Sequence, residues 1–214
     1  KMINKNRWGQ KNILNFYNNN RNKWSDLYKG EKILIKKFFK TNYSVLDIGC
    51  AQGGLNEALK KVSKKFDYTG LDYNIKMINK AKQKYPNINF IHLKNLTFTK
   101  FIKKKFDIVF VLGILHLNKN WKKIIKQSNK LSKKVIIFDL RLTDKKIKKK
   151  IYQNLNLDQN KFKNDIKYNI LTKNEVNEFL NKTFKYHKIN KIEYTNFPSK
   201  FTNFNKKISF CTYA

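Results

Sequence analysis

The 214-residue sequence predicts a doubly wound α/β fold in one domain, on three observations. Short runs rich in β-branched and aromatic residues alternate with stretches of helical period. The first run ends in a glycine turn, SVLDIGCAQGG at 44–54. The strongest, FDIVFVLGIL at 106–115, is nearly continuous in apolar side chains, as expected of a central strand covered on both faces. Parallel neighbours need crossover connections, so this alternation implies a mostly parallel sheet with helices on both sides.

Each element follows from local pattern. Residues 1–29 are polar and Asn-rich with scattered aromatics, and read as a helical cap or lid that extends to about residue 40. EKILIKKFFK carries Ile33, Leu34 and Phe38 at helical spacing and predicts a helix to about Lys40, broken by Thr41 and Asn42. YSVLDIG (43–49) is a strand, and Leu55, Ala58, Leu59 and Val62 then repeat with helical period. YTGLDY (68–73) is the second strand, IKMINKAKQKY (75–85) a helix stopped by Pro86, and INFIHL (88–93) the third strand. After the strand at 106–115 come a helix from about Asn120 to Leu131 and the strand VIIFDLRL (135–142). The segment from 143 to about 185 reads as an insertion ending in the helical TKNEVNEFLNKTF. YHKINKIEYT (186–195) and KKISFCTYA (206–214) are two closing strands, paired as an antiparallel hairpin at one edge. The main domain is therefore 41–214.

Composition narrows the function classes. Hydrophobic residues at 41% and aromatics at 14% suffice to fill a core. A net charge of +34 would ordinarily point to nucleic acid, an anionic membrane surface or phosphorylated small molecules. Here the Lys excess runs the whole length together with Asn and Ile. Arg, the residue suited to bidentate phosphate contacts, appears only at 7, 21 and 141, so much of the charge reads as compositional. Cys50 and Cys211 lie in no metal-ligand or disulfide spacing, which argues against zinc and for a reducing cytoplasm. No apolar run approaches the ~18 residues of a membrane span, and KMINKNRWGQ has no secretory h-region.

In a doubly wound sheet, ligands bind at the carboxyl ends of the strands, commonly over the first βα turn. GCAQGG falls there. Its glycines let backbone approach a ligand closely, and Asp47 adds a fixed acceptor. Asp72 ends the second strand about 20 residues on, the spacing at which a carboxylate can accept from both ribose hydroxyls. The turn matches neither GxGxxG nor a P-loop.

VLDIGCAQGG followed by LDYN resembles motif I and the acidic ribose motif of the class I S-adenosylmethionine-dependent methyltransferases. The resemblance covers residues 30–214 and implies their Rossmann-like, seven-stranded fold, with the last strand inserted antiparallel. It further implies S-adenosylmethionine as cofactor and S-adenosylhomocysteine as product, and no metal. Asp47, Gly49 and Ala51 would hold the methionine end, with Cys50 as a small buried spacer and Gly53 and Gly54 permitting close approach. Asp72 would take the ribose, Tyr73 the adenine, and Leu112 and Gly113 would line the pocket near the sulfonium. The acidic residue that family members often carry after the third strand is missing, and Asn95 stands in its place.

Methyl transfer from a sulfonium needs alignment, and a base where the acceptor is a hydroxyl. His116, just past the fourth strand, is either that base or a rim histidine with a structural hydrogen bond. Asp139 and Arg141 are either acceptor contacts or a salt-bridged pair. Tyr17 and Tyr28 either close over the cofactor from the cap or pack as ordinary aromatics.

Three readings of the acceptor compete. NRNKWSDLYKGEKILIKKFFK looks like the segment preceding motif I in methyltransferases of surface-polysaccharide gene clusters. That favours O-methylation of a small molecule, such as a sugar or a phosphorylated or nucleotide-linked precursor, in a pocket closed by the cap and the insertion. RNA methylation rests on charge alone: the N/D-PP-Y motif, the cysteine of cytosine-C5 enzymes and the Asp of the Lys-Asp-Lys-Glu enzymes are all absent after strand four. A non-catalytic cofactor-binding scaffold is the third. The sequence sets no oligomeric state.

Overall fold

The computed structural model describes residues 7–95, 97–154 and 166–214; the predicted cap and insertion therefore lie partly outside the described residues. Its elements are α1 (Lys11–Asn19), α2 (Lys29–Phe38), β1 (Ser44–Ile48), α3 (Gly54–Leu59), β2 (Asp67–Asp72), α4 (Ile75–Lys84), β3 (Asn89–His92), β4 (Phe106–Val111), α5 (Trp121–Leu131) and β5 (Ser132–Thr143). There follow β6 (Tyr152–Gln153), β7 (Ile166–Lys167), β8 (Leu171–Thr172), α6 (Lys173–Thr183), β9 (Lys191–Asn196) and β10 (Ile208–Tyr213).

The main sheet runs β3-β2-β1-β4-β5-β10-β9, with two-residue β8 extending the end of β5. Strands β1 to β5 are parallel, and β10 is antiparallel to both β5 and β9. Strand order reverses between β1 and β4, so the crevice at their carboxyl ends is where a ligand is expected.

Period-two alternation explains the unbroken apolar run of β4. Val109 and Val111 pack into one core with Leu46, Leu71 and the α5–α6 layer, while Ile108 and Phe110 pack into the opposite core with Val45 and the α2–α4 layer. Burying each of these side chains contributes about 1.5–3 kcal/mol. Asn74 caps α4, its side chain accepting the N–H groups of Lys76 and Met77, which fixes the chain direction immediately after Asp72.

Three boundaries differ from the sequence reading for physical reasons. β4 stops at Val111 because Gly113, at φ 73°, turns the chain into a 3-10 turn at Leu115–Leu117. β5 begins at Ser132, directly at the end of α5, and a register shift against β4 between Phe106 and Ile108 absorbs the extra residues. β9 begins at Lys191, preceded by Asn190, which exchanges backbone hydrogen bonds with Ala214 at 2.7 and 2.9 Å; Tyr186, upstream, is 88% exposed. α2 packs on β5, β9 and β10, so close that a Cβ on Gly30 would strike the Thr212 side chain.

Candidate cofactor and acceptor site

Three residues of the turn after β1 are left-handed: Gly49 at φ 83°, Ala51 at φ 48° and Gly53 at φ 79°. Gly49 is required twice over, by this conformation and because a Cβ would run into Ile114. Ala51 lacks that freedom and is held instead. Its N–H donates to Asp72 Oδ2 at 3.1 Å, while Asn74 N–H donates to Asp72 Oδ1 at 2.8 Å. The N–H groups of Gly49 and Cys50 both reach the Leu71 carbonyl, at 2.7 and 3.0 Å. The turn is thus fastened to the end of β2 by main chain and carboxylate together.

Two carboxylates face this turn with little water. Asp47 is 4% exposed and accepts the Tyr68 hydroxyl; burial pushes its carboxyl up to about 7, against that hydrogen bond and the Arg21 charge. Burial raises Asp72 to about 6, opposed by the N–H groups of Asn74, Ala51 and Tyr73. Both are poised to release a proton to solvent when a cation enters beside them.

The turn separates two adjoining cavities. The smaller, about 90 Å³, is lined by Asp72, Tyr73, Met77, Leu93, Phe98 and Trp8. The larger, about 360 Å³, has Asp47, Cys50, Gly54, Leu112, His116 and Arg141 in its wall, with Arg21, Tyr28, Gln52 and Tyr168. Tyr17, Gly49, Ala51 and Gly113 border both.

Three residues singled out from sequence are not in either wall. Gly53 backs onto Phe90, which a Cβ would strike. Asn95 is exposed, its side chain accepting Thr97 N–H at 2.8 Å; Leu93 and Phe98 line the cavity where it was expected. Asp139 is buried behind the wall rather than in it. One of its oxygens accepts Gly113 N–H and the other Arg141 Nη1, both at 2.6 Å, and burial beside Arg141 holds its carboxyl below the usual range because the ion pair outweighs desolvation.

Arg141 is 3% exposed, its guanidinium 4.0 Å from the Phe210 ring centroid and 5.1 Å from that of Tyr28. Its Nε and the Nδ1 of His116 are buried without a hydrogen-bond partner among the described residues. The His116 ring lies 4.8 Å from that of Tyr168, and burial with the nearby Arg141 charge pushes its pKa down to about 3, leaving it neutral. The other histidines are committed elsewhere: His92 Nε2 is 3.0 Å from the Tyr73 carbonyl, and His187 packs edge-on against Phe184. Burial pushes the Cys50 thiol well above its ordinary value, so it is no nucleophile. Among the described residues, no cluster of three or more His, Cys, Asp or Glu could hold a metal.

The N-terminal segment forms a roof. Arg21, left-handed at φ 66°, makes two 2.9 Å bonds to wholly buried Glu31, which also accepts Tyr28 N–H at 2.7 Å. Gln52 donates to the Leu14 carbonyl at 2.6 Å, and a Cβ on Gly54 would strike the Arg21 carbonyl. Arg21, Gln52, Ile114 and Tyr168 were not found from sequence. Arg21 had one usable signal in sequence, the scarcity of arginine in a chain so rich in lysine.

The strand order and the antiparallel β10 are those of the class I S-adenosylmethionine-dependent methyltransferase fold. Residues 45–134 match the family model described as "Methyltransferase domain". "Putative methyltransferase 235L" of Invertebrate iridescent virus 6 is 35% identical over 71 residues, 32% of this chain and 25% of the viral protein. The chain thus spans about a quarter of that curated relative's length. Among solved structures, a SAM-dependent methyltransferase from Methanosarcina mazei aligns at TM-score 0.63 and 17% identity, covering 87% of this chain and 96% of that one. The plantazolicin methyltransferase BamL, solved with a triazolic desmethylPZN analog and S-adenosylhomocysteine, aligns at 0.57 and 20% identity over 99% and 85%. The N-terminal domain of EvdMO1, solved in the presence of S-adenosylhomocysteine and D-fucose, aligns at 0.59 and 12% identity over 86% and 79%. At these identities the likeness is one of fold.

Proposed function

We propose that this protein is an S-adenosylmethionine-dependent methyltransferase that methylates an oxygen of a small molecule, a sugar or nucleotide-linked sugar of the kind found in surface polysaccharides. The observation that carries the reading is the pair of adjoining cavities at the strand-order reversal, one walled by Asp47 and the other by Asp72.

The residues present fit the cofactor. A turn that leaves no room for a Cβ at Gly49, and two buried carboxylates with raised pKa values, suit a ligand that brings positive charge. Asp72 would accept the ribose hydroxyls, and Tyr73, Leu93 and Phe98 would enclose the adenine. Asp47 would take the ammonium end. When bound, the sulfonium supplies an already activated methyl group.

This chain's own part is alignment and exclusion of water. Gly113 and Leu112 would border the methyl, with its hydrogen-bonded turn keeping that wall fixed. His116, neutral and facing the larger cavity, would receive a hydroxyl proton from the acceptor. The roof formed by α1 and Arg21–Tyr28 would close the chamber. The N-terminal domain of EvdMO1, which shares this fold, was solved in the presence of D-fucose, in keeping with a sugar-sized acceptor.

Calorimetry of the protein with S-adenosylmethionine and S-adenosylhomocysteine, at low and moderate salt and beside Asp72→Ala, tests the reading. Saturable, salt-tolerant binding lost in the variant supports it. Absence of binding to the native sequence overturns it.

A further inference from the structure

Inside the larger cavity the cations are already engaged. Arg21 is bound through both terminal nitrogens to Glu31, and Arg141 is held by Asp139 and by the Tyr168 side chain. Any anionic group on an acceptor must therefore find its counter-charge at the mouth, because burying it unpaired is costly.

One stretch of the chain offers that charge. Lys145, Lys146, Lys148, Lys149 and Lys150 are five exposed lysines in six residues, a density matched nowhere else in the sequence. The adjoining acid, Asp144, is taken by Lys173 at 3.0 Å, and none of the five lysines joins an ion pair among the described residues.

Position sets this run apart from the lysines spread over the rest of the surface. It follows Thr143, the carboxyl end of β5, on the side of the sheet where both cavities lie. Ile147, inside the run, and Ile151, just past it, pack into the same apolar cluster as Leu117 and Tyr168, which line the larger cavity. The Ile151 carbonyl accepts the Tyr168 N–H at 2.8 Å, and Gln153 lines the cavity too. Residues 148–150 thus sit between two apolar anchors beside the cavity wall, so their charges are presented at less entropic cost than those of a free tail.

The chemistry of the run favours phosphate. An ammonium group is a point charge that serves phosphate oxygens without the planar match that arginine gives. A single-stranded nucleic acid is gripped by a basic track interleaved with aromatic faces on which bases stack. No exposed large apolar side chain falls within 143–153, which speaks for a small phosphorylated molecule over an RNA strand.

Resting on the methyltransferase reading, we infer that the lysine run 145–150 is a phosphate-binding ridge at the mouth of the larger cavity. The acceptor is a phosphoryl or diphosphoryl compound whose anionic end lies on this ridge while the part to be methylated enters the cavity.

Inorganic pyrophosphate, followed by phosphorus NMR, is the probe. It is titrated into the native sequence and into two variants that lose the same charge. In the first, the five ridge lysines become Gln. In the second, Lys103, Lys104, Lys105, Lys130 and Lys133, exposed near the amino ends of β4 and β5 at the opposite end of the sheet, become Gln. Saturable binding is expected, weakened at least tenfold in the first variant and less than twofold in the second. Acetylation of the native protein, read by mass spectrometry, should show pyrophosphate protecting the ridge lysines ahead of those five, so the inference is still read if a variant fails to fold. It is overturned if pyrophosphate does not bind, if both variants weaken it alike, or if protection is no greater on the ridge. Oligouridylate binding that is lost in the first variant alone, with pyrophosphate failing to bind, overturns it in favour of RNA. S-adenosylhomocysteine titrated into the native protein reads the methyltransferase assignment separately: its failure to bind, with pyrophosphate still discriminating the variants, removes that assignment and leaves the phosphate ridge standing.

Discussion

The carboxylate of Asp72, at the end of β2, receives the backbone N–H of Ala51, a left-handed residue in the turn after β1, at 3.1 Å. One side chain therefore shapes the turn of the first βα unit and lines the cavity that the turn borders. Asp72→Ala is expected to abolish measurable S-adenosylhomocysteine binding. It should also destabilise the free protein by about 1–3 kcal/mol, because the backbone donors of Ala51, Tyr73 and Asn74 lose their acceptor and the strained Ala51 loses its tether. Asp72→Asn keeps one acceptor oxygen and should lose cofactor affinity while retaining most of the stability. Calorimetry and urea denaturation read the two effects separately.

The raised pKa values of Asp47 (about 7) and Asp72 (about 6) give a pH dependence with a definite sign. Both lie above the unfolded value near 4, so between about pH 4 and 7 the free native state binds more protons than the unfolded chain. Their contribution to stability is full below the unfolded value and is lost as pH rises through the folded values. Affinity for the cationic cofactor should run the other way, rising from pH 5.5 to 8 with proton release near pH 6–7. Calorimetry in two buffers of different ionisation enthalpy measures the released protons, and proton uptake would contradict the assignment.

Tyr68→Phe removes the hydroxyl that Asp47 accepts deep in the site. A hydrogen bond to a charged group is worth about 1.5–3 kcal/mol. Loss of this one should raise the Asp47 pKa further and weaken cofactor binding at pH 7 several-fold, with recovery at pH 8.5. Titration of binding against pH shows the displaced midpoint.

Glu31 is inaccessible to solvent, and Arg21 is about a quarter exposed, at 26%. Glu31→Gln should therefore cost less than a fully buried pair, about 1–3 kcal/mol after allowing for solvent around Arg21. The roof it fastens lies over the turn, so the rate of S-adenosylhomocysteine dissociation should rise by more than the change in the association rate. Stopped-flow fluorescence can follow both.

His116→Asn should slow methyl transfer about tenfold or more while leaving the cofactor dissociation constant within twofold. The low pKa makes His116 a weak base, so the loss should sit at the lower end of general-base effects, roughly 100-fold or less. Single-turnover transfer to an identified acceptor separates this from binding.

The parts legible in sequence were those governed by short-range pattern. VLDIG, TGLD and FDIVFV announced β1, β2 and β4 because burial on both faces leaves few choices of side chain. Asp47 and Asp72 were readable because strand ends fix where such residues sit. Asn95 was placed by analogy of position, and the chain beyond β3 turned it outward as a local cap. YHKIN in 186–190 alternates like a strand, yet only its end joins the β10 ladder, through the Asn190–Ala214 backbone pair, and Tyr186 stands out in solvent. Arg21 and Glu31 could not be paired from sequence, because their contact depends on the left-handed backbone at Arg21, with no glycine to mark it. Asp139 and Arg141 were paired correctly as neighbours, but only the structure divides their tasks between the interior and the cavity wall.

The peptide N–H of Gly113 is held by the same carboxylate that holds Arg141, and Gly113 borders both cavities. Asp139 thus joins the wall of the larger cavity to the rim of the smaller one through a single carboxylate. By thermodynamic reciprocity, whatever one ligand does to the affinity of the other is returned in equal measure. The group common to both walls is a side chain that lies in neither.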